Sequence, residues 1–140
     1  MALTLSLTSC GGKKPPFDPA VTAQALVEAP GVFSETLEPL EEAVALALYG
    51  LEGQDGVEVT SYHSTGATAE EATVVRFADE AAAKAFVPRL QLYLADQLEA
   101  NGGYRPLELP KLENARLEMR ENSVLLLVAA DYQAAEALLG

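Results

Sequence analysis

The sequence predicts an α+β fold, a two-layer sandwich in which a four-stranded antiparallel sheet (a ββαββα core) carries helices on one face and extra N-terminal helices. Three observations predict it. Residues 57–62 and 115–120 alternate apolar and polar side chains with period two, and each stretch is followed by a second extended run, at 73–77 and 123–130. A long segment with apolar residues at helical spacing, from Asp79 to about Asn101, separates the two pairs. Another Asp-started helix closes the chain. Strands that come in consecutive pairs with helices between them favour antiparallel hairpins over a parallel sheet.

Composition sets the outer bounds. With 140 residues and 49% apolar content, the chain is long enough to bury a core without disulfides or metals. We read residues 17–140 as one domain and residues 1–16 as a remnant signal, lipidation site and tether. The formal charge is -12, from 21 acids against 9 Lys plus Arg. Such a surface repels phosphate backbones, so nucleic acid is not an expected partner. The acids are scattered along helix faces, which reads as solubility. The single cysteine, Cys10, excludes an intramolecular disulfide and a multi-cysteine metal site. No apolar run approaches the ~20 residues of a membrane-spanning helix.

In order, Asp18-Pro19 starts a helix, with Asp as N-cap and Pro at the first helical position, and Pro30-Gly31 stops it. A second helix is expected near Pro39, with Leu40, Val44, Ala47 and Leu48 as its apolar stripe and Tyr49-Gly50 as its end. Gln54-Asp55-Gly56 is a turn. Val57, Val59 and Ser61 then face the core in the first strand, and Thr73, Val75 and Phe77 do so in the second. Asp79 caps the long helix, whose stripe is Phe86, Leu90, Tyr93, Leu94 and Leu98, with Pro88 expected to kink it. Tyr104 to Pro110 is a proline-bounded crossover. Leu117 and Met119 alternate with Arg116, Glu118 and Arg120 in a third strand, Glu121-Asn122 makes a tight turn, and 123–130 is an inner strand. Asp131 caps the last helix.

At the other end, Leu7-Thr8-Ser9-Cys10 resembles a bacterial lipobox, in which the thiol becomes the thioether that carries diacylglycerol. Gly11 through Pro16 then reads as a polar tether, flexible and then stiff. No Lys or Arg precedes Cys10 and the apolar run is short, so the start is expected to fall inside a longer signal.

Ser64-Thr65-Gly66-Ala67-Thr68-Ala69-Glu70-Glu71-Ala72 resembles the signature of a family of bacterial, mostly Gram-positive, lipoproteins whose domain has no known function. Leu48-Tyr49-Gly50, Tyr104-Arg105-Pro106-Leu107-Glu108 and Leu112-Glu113-Asn114-Ala115 followed by Asn122 are similar to further motifs of that family, in its order. Glu121 departs from it, standing where the family often has Gly. The resemblance spans roughly 34–139. It implies lipid anchoring at Cys10 outside the cytoplasmic membrane and lends no catalytic residue.

Chemistry is thin by comparison. His63, the only histidine, neighbours Ser64, but adjacent strand residues point to opposite faces and cannot form a nucleophile–base pair. His63 reads as a surface residue at a strand end. No nucleophile elbow, phosphate-cradling loop or zinc spacing is present, and no cofactor is implied. The loop has a structural reading, with Gly66 supplying a positive-φ turn and Thr68-x-x-Glu71 a capping box. Its functional reading is a recognition loop of Ser64, Thr65, Gly66, Thr68 and Glu71, offering open backbone N–H groups to a peptide, a glycan or an anion. Tyr104 and Pro106 form a second candidate patch, or else pack the crossover. Glu70-Glu71 and Asp55 read as solvated acids or, more remotely, calcium ligands.

The expected function is therefore a non-enzymatic, lipid-anchored module that binds a protein or cell-wall partner through the hairpin-loop end of the sheet. A small cell-envelope hydrolase using paired carboxylates is the alternative. An assembly part that pairs through an exposed edge strand is the third reading.

Overall fold

The computed structural model describes residues 14–140. In chain order the elements are α1 (Pro19–Glu28), β1 (Glu38–Pro39), α2 (Glu42–Leu48), β2 (Glu58–His63), β3 (Glu71–Arg76) and α3 (Glu80–Gly102). A 3-10 turn (Pro106–Glu108), α4 (Leu109–Glu113), β4 (Arg116–Arg120), β5 (Ser123–Val128) and α5 (Tyr132–Leu139) complete them. The sheet order is β1-β2-β3-β5-β4 and every neighbouring pair is antiparallel. The fold is α+β, as the alternation of β2 and β4 predicts.

Two features of the expected architecture are corrected. Among the described residues the sheet has five strands, because Glu38 and Pro39 pair with His63 and Tyr62 as a short edge strand. Proline has no N–H to donate and is tolerated at an edge, and two residues are too few to show alternation. Helices also cover both faces of the sheet. On one side Ala72, Val74, Leu125 and Leu127 pack with Phe17, Ala23 and Leu26 of the α1 region and with Ala135 and Leu139 of α5. On the other, Val75, Phe77, Val124 and Leu126 pack with Ala45 and Tyr49 around α2 and with Ala83, Phe86 and Leu90 of α3. Burial on both faces explains why 71–75 and 123–128 are buried without interruption.

Local chemistry sets the helix boundaries. Asp18 accepts from Val21 N at 3.1 Å, Asp79 from Ala82 N at 2.8 Å, and Asp131 from Gln133 N at 2.9 Å and Ala134 N at 3.2 Å. Each cap contributes about 1 kcal/mol. α3 runs unbroken through Pro88. α2 begins later than expected, since Glu38–Pro39 is strand, and this turns its stripe. Ala45 is buried along with Tyr49, whereas Val44 and Leu48 are half exposed. The expected crossover at 104–110 is ordered as the 3-10 turn leading into α4. At the 121–122 turn it is Glu121, not Asn122, that takes the positive φ, at 52°. Asn122 instead clamps the neighbouring strand end: its Nδ2 donates to Phe77 O at 2.7 Å, and Phe77 N donates to its carbonyl at 2.7 Å.

A candidate contact surface built over buried carboxylates

Three stretches remote in sequence meet at the sheet end where β2 passes into β3: residues 34–35, the hairpin loop 64–70, and residues 104–111. Alternation along β3 explains the chemistry beneath them. Glu71, in phase with Thr73 and Val75, points to the α2–α3 face, and Glu70, in phase with Ala72, points to the α1–α5 face. Both are buried, at 3% and 1% relative exposure. A buried carboxylate is costly unless it is paired and hydrogen-bonded. Each has its own solution.

Glu70 accepts from Ser34 N at 2.9 Å, from Ser34 Oγ at 2.5 Å and from Lys111 Nζ at 2.7 Å. The same ammonium donates to both oxygens of Glu108, at 3.1 and 3.2 Å, and Glu108 accepts from Ala69 N at 2.9 Å. Burial alone would lower the Lys111 pKa, but hydrogen bonds and charge from Glu70 and Glu108 outweigh it and hold it above the ordinary lysine value.

Glu71 instead accepts from three hydroxyls: Tyr49, Tyr93 at 2.5 Å, and Thr73 at 3.0 Å. The Ser61 hydroxyl lies 2.6 Å from Thr73 Oγ1, and His63 Nε2 lies 2.9 Å from the Tyr49 oxygen. If Ser61 donates to Thr73, Thr73 and both phenols donate to Glu71, and the His63 tautomer carrying its proton on Nε2 donates to Tyr49, these bonds are satisfied, while the 2.9 Å contact between the Tyr49 and Thr73 oxygens is left without a proton. Burial first, then the Glu71 charge, raises both phenols well above the ordinary tyrosine range.

The hairpin loop is tied down in the same manner. Ser64 Oγ donates to Glu35 at 2.7 Å and accepts from Gly66 N at 3.1 Å and Thr68 N at 3.0 Å. Thr68 Oγ1 donates to Glu35 at 2.6 Å and accepts from Glu70 N at 3.1 Å. The hydrogen bonds from Thr68 and Ser64 hold the Glu35 carboxyl below its ordinary range. Gly66 has φ 128°, which an L side chain rarely adopts.

This geometry corrects several expectations. The loop does not offer open N–H groups at Ser64, Gly66, Thr68, Ala69 or Glu70, because each is bonded internally. Thr68 and Glu71 form no capping box, since Glu71 opens β3 rather than a helical turn. Glu71 is a buried brace and cannot be a contact residue, and Ser64 and Thr68 are likewise braces. His63 is half-buried and bonded to Tyr49 rather than lying at the surface. Glu70 and Glu71 are not solvated. They face opposite sides of the sheet, and Asp55 lies at the far end of β2, so the three share no site. Among the described residues no cluster of three or more His, Cys, Asp or Glu side chains is placed to hold a metal ion.

What remains outside is compact. Thr65, Gly66 and Ala67 are exposed at the hairpin tip. Beside them Tyr104 is 72% and Leu107 86% exposed, with Pro106 exposed between them. Arg105 joins the two segments, its Nη1 donating to Gly66 O at 2.6 Å while its guanidinium carbon lies 5.3 Å from the Tyr104 ring centre. The hairpin loop and the Tyr104–Pro106 segment, separate candidates in the sequence, are thus one surface. Tyr49, Tyr93, Glu108 and Lys111, which build its support, were missed as a group. Carrying the inward phase of Val75 and Thr73 back two residues to Glu71 would have flagged its burial. The expected lipidation site, Cys10, lies outside the described residues. No helix among the described residues is long and apolar enough to cross a membrane.

No curated protein and no solved structure matches the chain. A family profile described as a domain of unknown function, DUF4358, matches residues 33–129. That span holds both hairpins, α3, and the Glu70–Lys111–Glu108 and Glu71–Tyr49–Tyr93 networks. With well over half of its length matched, the chain belongs to the DUF4358 family, a domain of unknown function.

Proposed function

We propose that this protein is a lipid-anchored binding module on the outer face of the bacterial cytoplasmic membrane, and that it engages a protein or cell-wall partner through the hairpin-tip surface. One observation carries the reading: Tyr104 and Leu107 stand exposed beside Thr65–Ala67, on a sheet end whose buried carboxylates, Glu70, Glu71 and Glu108, are hydrogen-bonded internally. An exposed aromatic and an exposed leucine on a rigid base lose little conformational entropy on binding, which suits a contact surface.

Chain direction supports the same reading. Phe17 N donates to Ser123 Oγ at 2.8 Å and Lys14 Nζ reaches Gly140 O, so residues 14–17 run along the sheet end opposite the hairpin tip. A diacylglycerol thioether at Cys10 of the lipobox would hold that end, leaving the tip for a partner. Hydrolysis by paired carboxylates is less well supported. Glu70 and Glu108 are bridged by Lys111, Glu71 faces the other side of the sheet, and Glu118 and Glu136 are both held by Arg116.

The test expresses the protein from its native locus with its upstream sequence. Intact mass of the membrane fraction should show a diacylglyceryl adduct at Cys10, and an unmodified Cys10 in a soluble fraction would remove the anchor. Leu107→Asp and Tyr104→Glu should abolish retention of the native partner while leaving thermal unfolding within about 0.5 kcal/mol of the parent.

A further inference from the structure

A second surface, away from the hairpin tip, has its own logic. β4 is the last strand of the sheet and the opposite edge, β1, is only two residues long and contains Pro39, so β4 is the edge able to accept another strand. The register fixes which backbone groups it offers. Arg120 and Ser123 flank a two-residue turn, so Arg120, Glu118 and Arg116 turn their N–H and C=O groups toward β5. Leu117 and Met119 therefore turn theirs outward. The Phe77 N to Asn122 O bond on the far side of β5 has the matching parity. Ala115 offers only its carbonyl, because its N–H donates to Leu112 O at 3.2 Å. An open groove of about 560 Å³ runs beside the strand, lined by Asn114, Arg116, Leu117, Glu118, Tyr132 and Glu136.

We propose that β4 pairs antiparallel with β4 of a second copy, centred on Leu117, joining two five-stranded sheets into one. The strand is complementary to itself in that register. Leu117 meets Leu117, Arg116 meets Glu118, Glu118 meets Arg116, and Ala115 meets Met119. On one face opposite charges oppose each other across the join, and on the other face apolar side chains do. Shifting the centre to Glu118 would set Glu118 against itself and Arg116 against Arg120, so charge selects against that alternative. The intrachain pairs Arg116–Glu118, at 2.5 Å, and Arg120–Glu118, at 2.5 Å, then extend into a network across both strands. The pairing uses the Leu117 N–H and C=O of both copies, and the Met119 N–H with the Ala115 C=O. The joined sheet carries its two tethered ends, and its two hairpin tips, on opposite sides, so this is a pairing of the chain in solution and does not rest on the anchored orientation.

The test uses the full 140-residue chain. Sedimentation from micromolar to millimolar protein should show a mass that doubles with concentration. Glu118→Arg, which sets arginine against arginine, should leave it monomeric, and the swap Arg116→Glu/Glu118→Arg should restore the dimer, with melting curves confirming that each variant is folded. In a Cys10→Ser background, Leu117→Cys should form a disulfide-linked dimer under mild oxidation, since paired Cα atoms lie about 5.5 Å apart. Met119→Cys should not. A monomer at every concentration, failure of the swap to rescue, or equal cross-linking at 117 and 119 would overturn the proposal.

Discussion

Lys111→Met removes the single ammonium that serves two buried carboxylates while keeping most of the side-chain volume. Glu70 would retain its bonds from Ser34 N and Ser34 Oγ, and Glu108 its bond from Ala69 N, but among the described residues neither has another ion-pair partner. The Glu70 side chain is fully buried and that of Glu108 is 10% exposed, so solvent screens little of the loss. Breaking a buried ion pair by removing one partner costs about 3–5 kcal/mol. With a urea slope of about 2 kcal/mol per molar for a domain this small, the unfolding midpoint should fall by about 2 M. Chemical denaturation of the parent and the variant at neutral pH measures it directly. Lys84→Met, on the exposed side of α3, serves as the control and should shift stability by less than about 0.5 kcal/mol. The triple change Glu70→Gln/Glu108→Gln/Lys111→Met should recover much of the loss, because neutral groups replace the whole charged set. A Lys111→Met cost below about 1 kcal/mol, or no recovery in the triple variant, would refute the view that this ammonium holds the sheet end together.

The raised values of Lys111, Tyr49 and Tyr93 fix the sign of an alkaline transition: their contribution is fully present below the unfolded-state values, near pH 10, and is lost as pH rises through the folded ones. Denaturation midpoints should therefore fall above about pH 10, and absorbance titration of the folded protein should lack the Tyr49 and Tyr93 phenolates that denaturant reveals. Glu121→Gly should raise stability by up to about 1 kcal/mol in thermal melts, since Glu121 holds φ 52° in a tight hairpin turn where glycine is unstrained. Gly50→Ala should cost about 2 kcal/mol: φ is 69°, and an added Cβ would run into Arg89 Nη2, which caps Tyr49 O and Gly50 O. Urea titration of that variant checks the figure.

The parts of this fold that were legible in the sequence are those where one residue type carries a local meaning. Asp18, Asp79 and Asp131 cap the helices they precede, and Val59 and Ser61 face the core as their alternation requires. The illegible parts were decided by neighbours distant in sequence. Nothing local marks Glu38–Pro39 as a strand, because only its pairing with His63 and Tyr62 makes it one. Thr73 to Phe77 reads as half-buried by its Arg76, yet α1 on one side and α3 on the other bury both faces. The candidate site divides in the same way. Gly66 and the exposed Tyr104 were visible as punctuation and as an isolated aromatic. Their union depends on Arg105 reaching Gly66 O across 39 positions, and on Lys111 reaching Glu70 across 41. Glu71 misled because acids usually sit in water, and here three hydroxyls replace that water.

Site-specific photocrosslinking in cells tests the contact surface most directly. A photoreactive residue is placed in turn at Leu107, at Thr65 and at Lys84 of the native-locus protein. A discrete adduct of the same mass from Leu107 and Thr65, absent from Lys84 and lost when Tyr104→Glu is added to either, is the expected result. Adducts from Lys84 alone, or equal capture at all three positions, would contradict the assignment of the hairpin-tip surface as the binding site.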